Sequence, residues 1–193
     1  MISRFFATLL LLSASLFGEE LRGRVVKVTD GDTITVFDAD KVQHKIRLEG
    51  IDAPESKQAF GTRAKEALGD KVFDKEVLIE WKETDRYKRI LGHVRIGERN
   101  INREMVEEGF AWHFKQYSKS KELSDAEVEA REARRGLWID KSPVPPWEFR
   151  KQQREKSRAK KSAYRFQLNT PAGGCISWQT NQGEQIPHGA NSA

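Results

Sequence analysis

Residues 21–55 read LRGRVVKVTDGDTITVFDADKVQHKIRLEGIDAPE, and the fold turns on this stretch. Leu21 to Phe37 is rich in Val, Thr and Ile and is broken once, at Thr29-Asp30-Gly31-Asp32. β-branched residues favour extended backbone and a Gly–Asp pair favours a tight turn, so the pattern predicts strand, turn, strand. Asp38–Lys41 suits a second hairpin turn. From Val42 to Ile51 apolar and polar residues alternate, with Val42, His44, Ile46 and Leu48 two residues apart. This is a third strand. Asp52-Ala53-Pro54-Glu55 ends it, because proline has no N–H for a ladder.

Downstream, Gly61–Lys71 reads as a helix with Ala64, Ala67 and Leu68 on one face. Val77–Trp81 and Ile90–Ile96 are a fourth and a fifth strand. Asn100 is a good N-cap for a short helix, Ile101–Glu108, closed by Gly109. Ser124 or Asp125 is expected to cap a further helix reaching Arg135, with Gly136 at its end. Pro143, Pro145 and Pro146 then stop regular structure, and Trp147 and Phe149 can fold back as apolar anchors. Three strands, a helix, two strands and two helices make an α+β chain. The helix between strands three and four fits a five-stranded OB-type β-barrel with three helices.

The ends read differently. Met1–Arg4 carries one positive charge, Phe5–Phe17 is apolar or small, and small residues follow to Gly18. That order is a secretory signal peptide over residues 1–18, removed on export to the periplasm or outside the cell. The apolar run is too short to span a bilayer comfortably, so the mature chain is expected to have no transmembrane span; an uncleaved anchor is the alternative. A folded domain is expected over residues 19–149 and a basic, helical extension over 150–168. Residues 169–193, rich in Gly, Asn, Gln, Ser and Pro, are expected to be a disordered tail. The lone cysteine, Cys175, lies in that tail and excludes an internal disulfide.

Net charge is +5, but it is unevenly placed. Arg150–Lys161 holds seven Lys/Arg against Glu155, so it carries +6. With Arg4 in the leader and Arg165 balanced by Glu184, residues 19–149 are left at −2. The basic extension, not the body, is what would attract a polyanion.

Three short runs carry chemistry. Asp30-Gly31-Asp32-Thr33 can present oxygens to a hard cation, although acids and glycine are also ordinary turn residues. Arg47 through Glu55 gathers acids where a strand stops at a rigid proline, a common place for catalytic groups. Asp85-Arg86-Tyr87-Lys88-Arg89 lies between two strands, and its guanidinium groups suit phosphate because the planar fork never loses its charge. Each run alone could be a solvated turn or a surface ion pair. A cation and arginines together would offset phosphodiester charge. Trp112, Phe114 and Tyr117 either stack on bases or, for at least one of Trp112 and Phe114, fill the core. The histidines form no metal-ligand pair.

In order and spacing the three runs resemble the thermonucleases, the staphylococcal-nuclease-like family, over roughly residues 21–140. The Asp32-to-Arg47 spacing fits that family. Lys88 departs from its usual small or polar residue, and Arg95 from a common aromatic. The resemblance implies an OB-type barrel with three helices and Ca²⁺-dependent phosphodiester hydrolysis. With the leader, the expectation is a secreted endonuclease of DNA and possibly RNA, a monomer with no stable protein partner. Mg²⁺ and Mn²⁺ stay open as the ion. The resemblance also implies Asp32, Asp52 and the backbone carbonyl of Ala53 as metal ligands. Glu55 would be the general base or water orienter, and Arg47 and Arg89 the phosphate-stabilising groups. Arg86 and Tyr117 are its substrate contacts. The competing reading is a catalytically inactive OB-fold nucleic-acid-binding module, which would be expected to lose acids or arginines that are all present here. A second rival is a tail-driven polyanion- or envelope-binding protein, with the barrel as support.

Overall fold

A computed structural model describes residues 19–169 of the chain. The expected signal peptide at 1–18 and nearly all of the expected disordered tail lie outside the described residues. The chain divides into two compact units, one ending at Lys151 and one beginning at Gln152.

In the first unit, β1 (Glu19–Asp30), β2 (Thr33–Phe37), β3 (Gln43–Leu48), β5 (Glu76–Thr84) and β6 (Ile90–Ile96) form a barrel. The sheet order is β3-β2-β1-β5-β6, extended by the short β7 (Arg99–Asn100). It closes because β3 and β6 also pair, in parallel, with Ile46 opposite Ile90, Arg47 opposite Leu91 and Leu48 opposite Gly92. This is the OB arrangement expected from the sequence. Strand β1 serves two partners. Glu19–Arg24 pairs with β5, and Arg24–Asp30 pairs with β2 through two register shifts. Such bulges sharpen the bend that a small closed barrel needs.

The inward-facing residues of the barrel include Val25, Ile34, Val36, Ile46, Leu48, Ile79 and Val94, all essentially without exposure. Helix α1 (Gly61–Val72) plugs one end with Ala64, Leu68 and Val72. Helix α2 (Ile101–Glu107) adds Ile101, Met105 and Val106, and its N-terminus is capped as expected, Asn100 accepting from the Arg103 N–H. Together these form one aliphatic core.

Helix α3 (Lys121–Glu132) differs from expectation at both ends. Its cap is Ser120, whose hydroxyl accepts from the Leu123 N–H, not Ser124 or Asp125. The earlier start brings Leu123 into the helix, where it is buried with Ala126, Glu127 and Ala130. The helix stops at Glu132, and Arg134 takes a left-handed φ of 50°. Gly136 therefore does not close α3 but opens a 3₁₀ turn, Gly136–Ile139. A second, aromatic cluster gathers here: Trp112, Ala130, Leu137 and Trp138, with Phe60 and Trp147 against it. Helix α4 (Pro146–Asn169) begins in this first unit. Residues 152–165 of α4, in the second unit, are exposed throughout.

Candidate active site

The Asp30–Thr33 turn between β1 and β2 is not at the surface. A Cβ on Gly31 would lie 2.7 Å from the side chains of both Ala53 and Ala64. The glycine lets the turn pack directly against the end of β3 and against α1. Asp32 is thereby held beside Asp52. The Ala53 N–H donates to Asp32 Oδ2 at 3.2 Å, and the Asp32 carbonyl accepts from Leu48 N–H at 2.8 Å.

Asp52 comes from a different device. Ile51–Asp52 (β4) pairs with Trp112–His113 (β8), Asp52 lying opposite Trp112. This two-residue ladder fixes the chain just before Pro54. Glu55 then sits above the start of α1, where a Cβ on Gly61 would come within 2.0 Å of the Glu55 carbonyl.

Asp32 is 4% exposed and Asp52 is 0% exposed, so both carboxylates need compensation by nearby donors. Arg47 bridges them. Its Nη2 lies 3.2 Å from Asp32 Oδ2 and 2.7 Å from Asp52 Oδ1, and Nη1 donates to Asp32 Oδ1 at 3.3 Å. Strand register explains this: Arg47 pairs across the sheet with Thr33, the neighbour of Asp32. Burial pushes Asp32 up to about 6; Arg47 opposes that shift and Asp30 adds to it. Burial also works against the charge of Arg47, but Asp32 and Asp52 outweigh it and hold the guanidinium more firmly charged than usual.

Arg89 approaches from the other side. It is held by Asp85, whose Oδ2 accepts from Arg89 Nε at 2.8 Å and lies 2.7 Å from Nη2. Asp85 Oδ1 accepts from the backbone N–H groups of Tyr87 and Arg89 at 2.8 and 2.9 Å. Although burial raises its carboxyl pKa, the Arg89 and Tyr87 donors hold Asp85 below the usual carboxylate range. Arg89 Nη1 reaches Thr33 Oγ1 at 3.4 Å, and that hydroxyl donates to Asp32 Oδ1 at 2.9 Å. Thr33 therefore joins the two halves. Lys88 has a left-handed φ of 61°, which a side chain beyond glycine, Asn or Asp adopts at a cost.

Asp32, Arg47, Asp52, Glu55 and Arg89 are thus brought to one region. Of the two further substrate candidates, Arg86 borders this network, since Arg89 lies 5.6 Å from the same Tyr87 ring, and Tyr117 lies on the aromatic side. Arg86 lies 4.9 Å from the exposed Tyr87 ring, and Tyr117 is exposed and packs on Phe114 at 4.8 Å. Trp112 fills the aromatic cluster, with Trp138 and Trp147 at its edges.

Two participants were not foreseen, Thr33 and Arg150. Arg150, counted on sequence with the basic extension, reaches into the acids. Nη2 donates to Asp52 Oδ2 at 2.7 Å, while Nη1 donates to Asp52 Oδ1 at 3.1 Å and Glu55 Oε1 at 2.7 Å. The available signal was Trp147, which the sequence marks as an anchor one helical turn before Arg150.

The donor set suits a hard cation. Two buried aspartates, one short of positive charge, and a neighbouring carbonyl offer only oxygen. Among the described residues no group of three or more His, Cys, Asp or Glu is arranged to hold an ion. Asp32, Asp52 and one carbonyl would leave positions on such a cation for water or substrate oxygens, as an open reactive site requires.

Sequence comparison gives a concordant result. A sequence model of the family described as Staphylococcal nuclease homologue matches residues 45–140. Protein ParB of Escherichia coli is 43% identical over 157 residues, covering 76% of this chain and 88% of that protein. An uncharacterized endonuclease of Haemophilus influenzae is 44% identical over 131 residues, 68% of this chain and 74% of its own. Micrococcal nuclease of Shigella flexneri is 43% identical over 143 residues, 68% of this chain and 82% of its own.

Proposed function

The chain belongs to the staphylococcal nuclease homologue family and is a nuclease that hydrolyses phosphodiester bonds, and from that premise we propose an exported, Ca²⁺-dependent endonuclease acting on DNA and possibly RNA as a monomer. The observation that carries this reading is the single guanidinium of Arg47 spanning two buried aspartates, 3.2 and 2.7 Å away, with Glu55 nearby.

In this reading Asp32, Asp52 and the Ala53 carbonyl hold the ion. The bound cation would supply positive charge at the phosphoryl group and help order an attacking water. Glu55 orients that water in line and accepts its proton. Arg47 and Arg89 bind the non-bridging phosphoryl oxygens, and their fixed charges favour the more highly charged transition state. Arg89 also assists the leaving oxygen. Arg86 and Tyr117 add weaker substrate contacts at the rim. The exposed basic helix of the second unit attracts the polyanion. Among the described residues no helix is long and apolar enough to cross a membrane. Export itself rests on the leader-like residues 1–18.

The test is a nuclease assay of the purified chain on single- and double-stranded DNA and on RNA, with Ca²⁺, Mg²⁺ or Mn²⁺. Hydrolysis with Ca²⁺ that stops on chelation supports the proposal. Equal hydrolysis with and without chelator, in protein stripped of metal, overturns the cation assignment.

A further inference from the structure

Arg150 is placed by its surroundings, not by chance of a long side chain. It stands three residues after Trp147 in the first turn of α4, so both residues lie on one side of the helix. Trp147 stacks on Phe114, centroids 5.3 Å apart and planes 8° from parallel, and meets the edge of Trp112 at 5.6 Å. The segment before α4 is tied down as well. Gln58 donates through Nε2 to the Val144 carbonyl and accepts through Oε1 from the Glu55 N–H. The loop that carries Glu55 and the segment that delivers Arg150 are therefore fastened to each other.

The guanidinium fork engages both oxygens of Asp52 and one of Glu55. Asp52 Oδ1 also accepts from Arg47, so this carboxylate is close to saturated with donors. Asp32, Asp52 and Glu55 face Arg47 and Arg150, three negative charges against two positive. Asp30 beside Asp32 adds a fourth carboxylate, so a divalent cation held by Asp32 and Asp52 would bring the count to even, and it would take up Asp52 oxygens that now bind Arg150. Arg150 would then meet a like charge a few ångström away. It cannot release a proton, so the repulsion favours its moving off Asp52 toward another anion. Its side chain is 32% exposed, which leaves it an edge open to solvent and to an arriving anion.

We propose that Arg150 is a substrate-binding residue with two alternative partners: Asp52 and Glu55 in the cation-free protein, and the phosphate of the nucleic acid once a divalent cation holds Asp52. This rests on the assignment of Asp32 and Asp52 as cation ligands. Arg150 then has opposite effects on two affinities. It weakens cation binding by competing for Asp52, and it strengthens binding of the polyanion.

The test uses the full mature chain with Arg150, Arg150→Gln and Arg150→Lys. Calorimetric titration with Ca²⁺ alone reads the first affinity. Titration with a short hydrolysis-resistant phosphorothioate oligonucleotide at saturating Ca²⁺ reads the second. Removal of the charge is expected to tighten Ca²⁺ about tenfold and to weaken the oligonucleotide about tenfold, the scale of one unit charge in a half-buried site. Arg150→Lys keeps the charge without the fork and is expected to fall between. Ca²⁺ affinity that is unchanged or weaker in Arg150→Gln, or an unchanged oligonucleotide affinity, overturns the proposal. If the unaltered protein binds Ca²⁺ and the variants do not differ, the ligand assignment survives and only the role of Arg150 fails. If the unaltered protein binds no divalent cation, both fail.

Discussion

Asp85 and Asp52 are both carboxylates that gather arginine, and they are built in opposite ways. Asp85 takes all its donors from within four residues: the N–H groups of Tyr87 and Arg89 and the Arg89 guanidinium. Asp52 takes its donors from Arg47, five residues away, and Arg150, ninety-eight residues away. The Asp85 loop is electrostatically settled, and its carboxyl is held below the ordinary range by those donors despite burial. The Asp52 region is not settled, since its neighbour Asp32 is pushed up to about 6 by burial. The difference separates two tasks. A local hub aims one side chain, whereas a long-range hub gathers two arginines around Asp52 and leaves the unmet demand for positive charge on its neighbour Asp32, where a ligand can satisfy it.

The largest effects should come from the groups that the two hubs deliver to the reaction. Glu55→Gln is expected to lower kcat by about 10²- to 10⁴-fold, the usual range for a general base. Arg89→Ala is expected to lower it by about 10²- to 10³-fold, as for loss of one transition-state charge donor. Neither should change KM comparably, because each interaction is strongest in the transition state. Steady-state kinetics on DNA with saturating Ca²⁺ checks both. Unchanged turnover in either variant removes that residue from the reaction.

The unmet demand at Asp32 should appear in stability. Its folded pKa of about 6 lies above the ordinary value of 3.8 for an aspartate. For a raised acid, the stability linked to the neutral form is intact below the unfolded pKa and is lost as pH rises through the folded one. In chelator, Asp32→Asn should therefore stabilise the protein at pH 7.5, by on the order of 3 kcal/mol, with little gain at pH 4. Thermal unfolding at the two pH values reads this. A variant less stable than the parent at pH 7.5 would mean that the Arg47 pairing outweighs burial, and that the Asp52 region is as settled as the Asp85 loop.

Much of this contrast was legible in the sequence, for a physical reason. Strand alternation and the DGDT turn one hairpin upstream bring Asp32 and Arg47 together by ordinary sheet register. The end of the strand was misplaced: β3 stops at Leu48 and not at the proline, because Gly50 turns the chain with a φ of 77°, and Asp52 comes from the separate β4–β8 ladder. The Asp85 loop is local and needs only its own five residues. The Ser120 cap was less legible, because Ser120, Ser124 and Asp125 are all suitable caps. What decides between them is which start buries Leu123, a tertiary fact. Thr33 and Arg150 were missed as participants. Their contacts depend on the closed barrel and on the Trp147 anchor, and no local pattern encodes a partner ninety-eight residues away.

Asp85 itself should matter less than the arginine it holds. Asp85→Asn keeps an acceptor for the Tyr87 and Arg89 N–H groups but loses the charge against the guanidinium. A fall in kcat of about tenfold is expected, well short of Arg89→Ala. A loss equal to that of Arg89→Ala would show that Asp85 does more than aim its neighbour.

The smallest effect on turnover should come from the exposed basic part of α4 beyond Arg150. Residues 152–165 hold six Lys/Arg against Glu155, all exposed. Arg154, Arg158, Lys161 and Arg165 recur at helical spacing and so line one face. A chain ending at Lys151 keeps Arg150 and both hubs, so its kcat should stay within about twofold of the parent. Its affinity for single-stranded DNA should fall several-fold at low salt and converge with the parent as salt rises. Each phosphate that the helix neutralises adds roughly 0.7 to the slope of log affinity against log salt, so the shortened chain should show the shallower line. Equal slopes for the two chains would leave the basic helix without a part in binding, and would assign the attraction for nucleic acid to the arginines of the site alone.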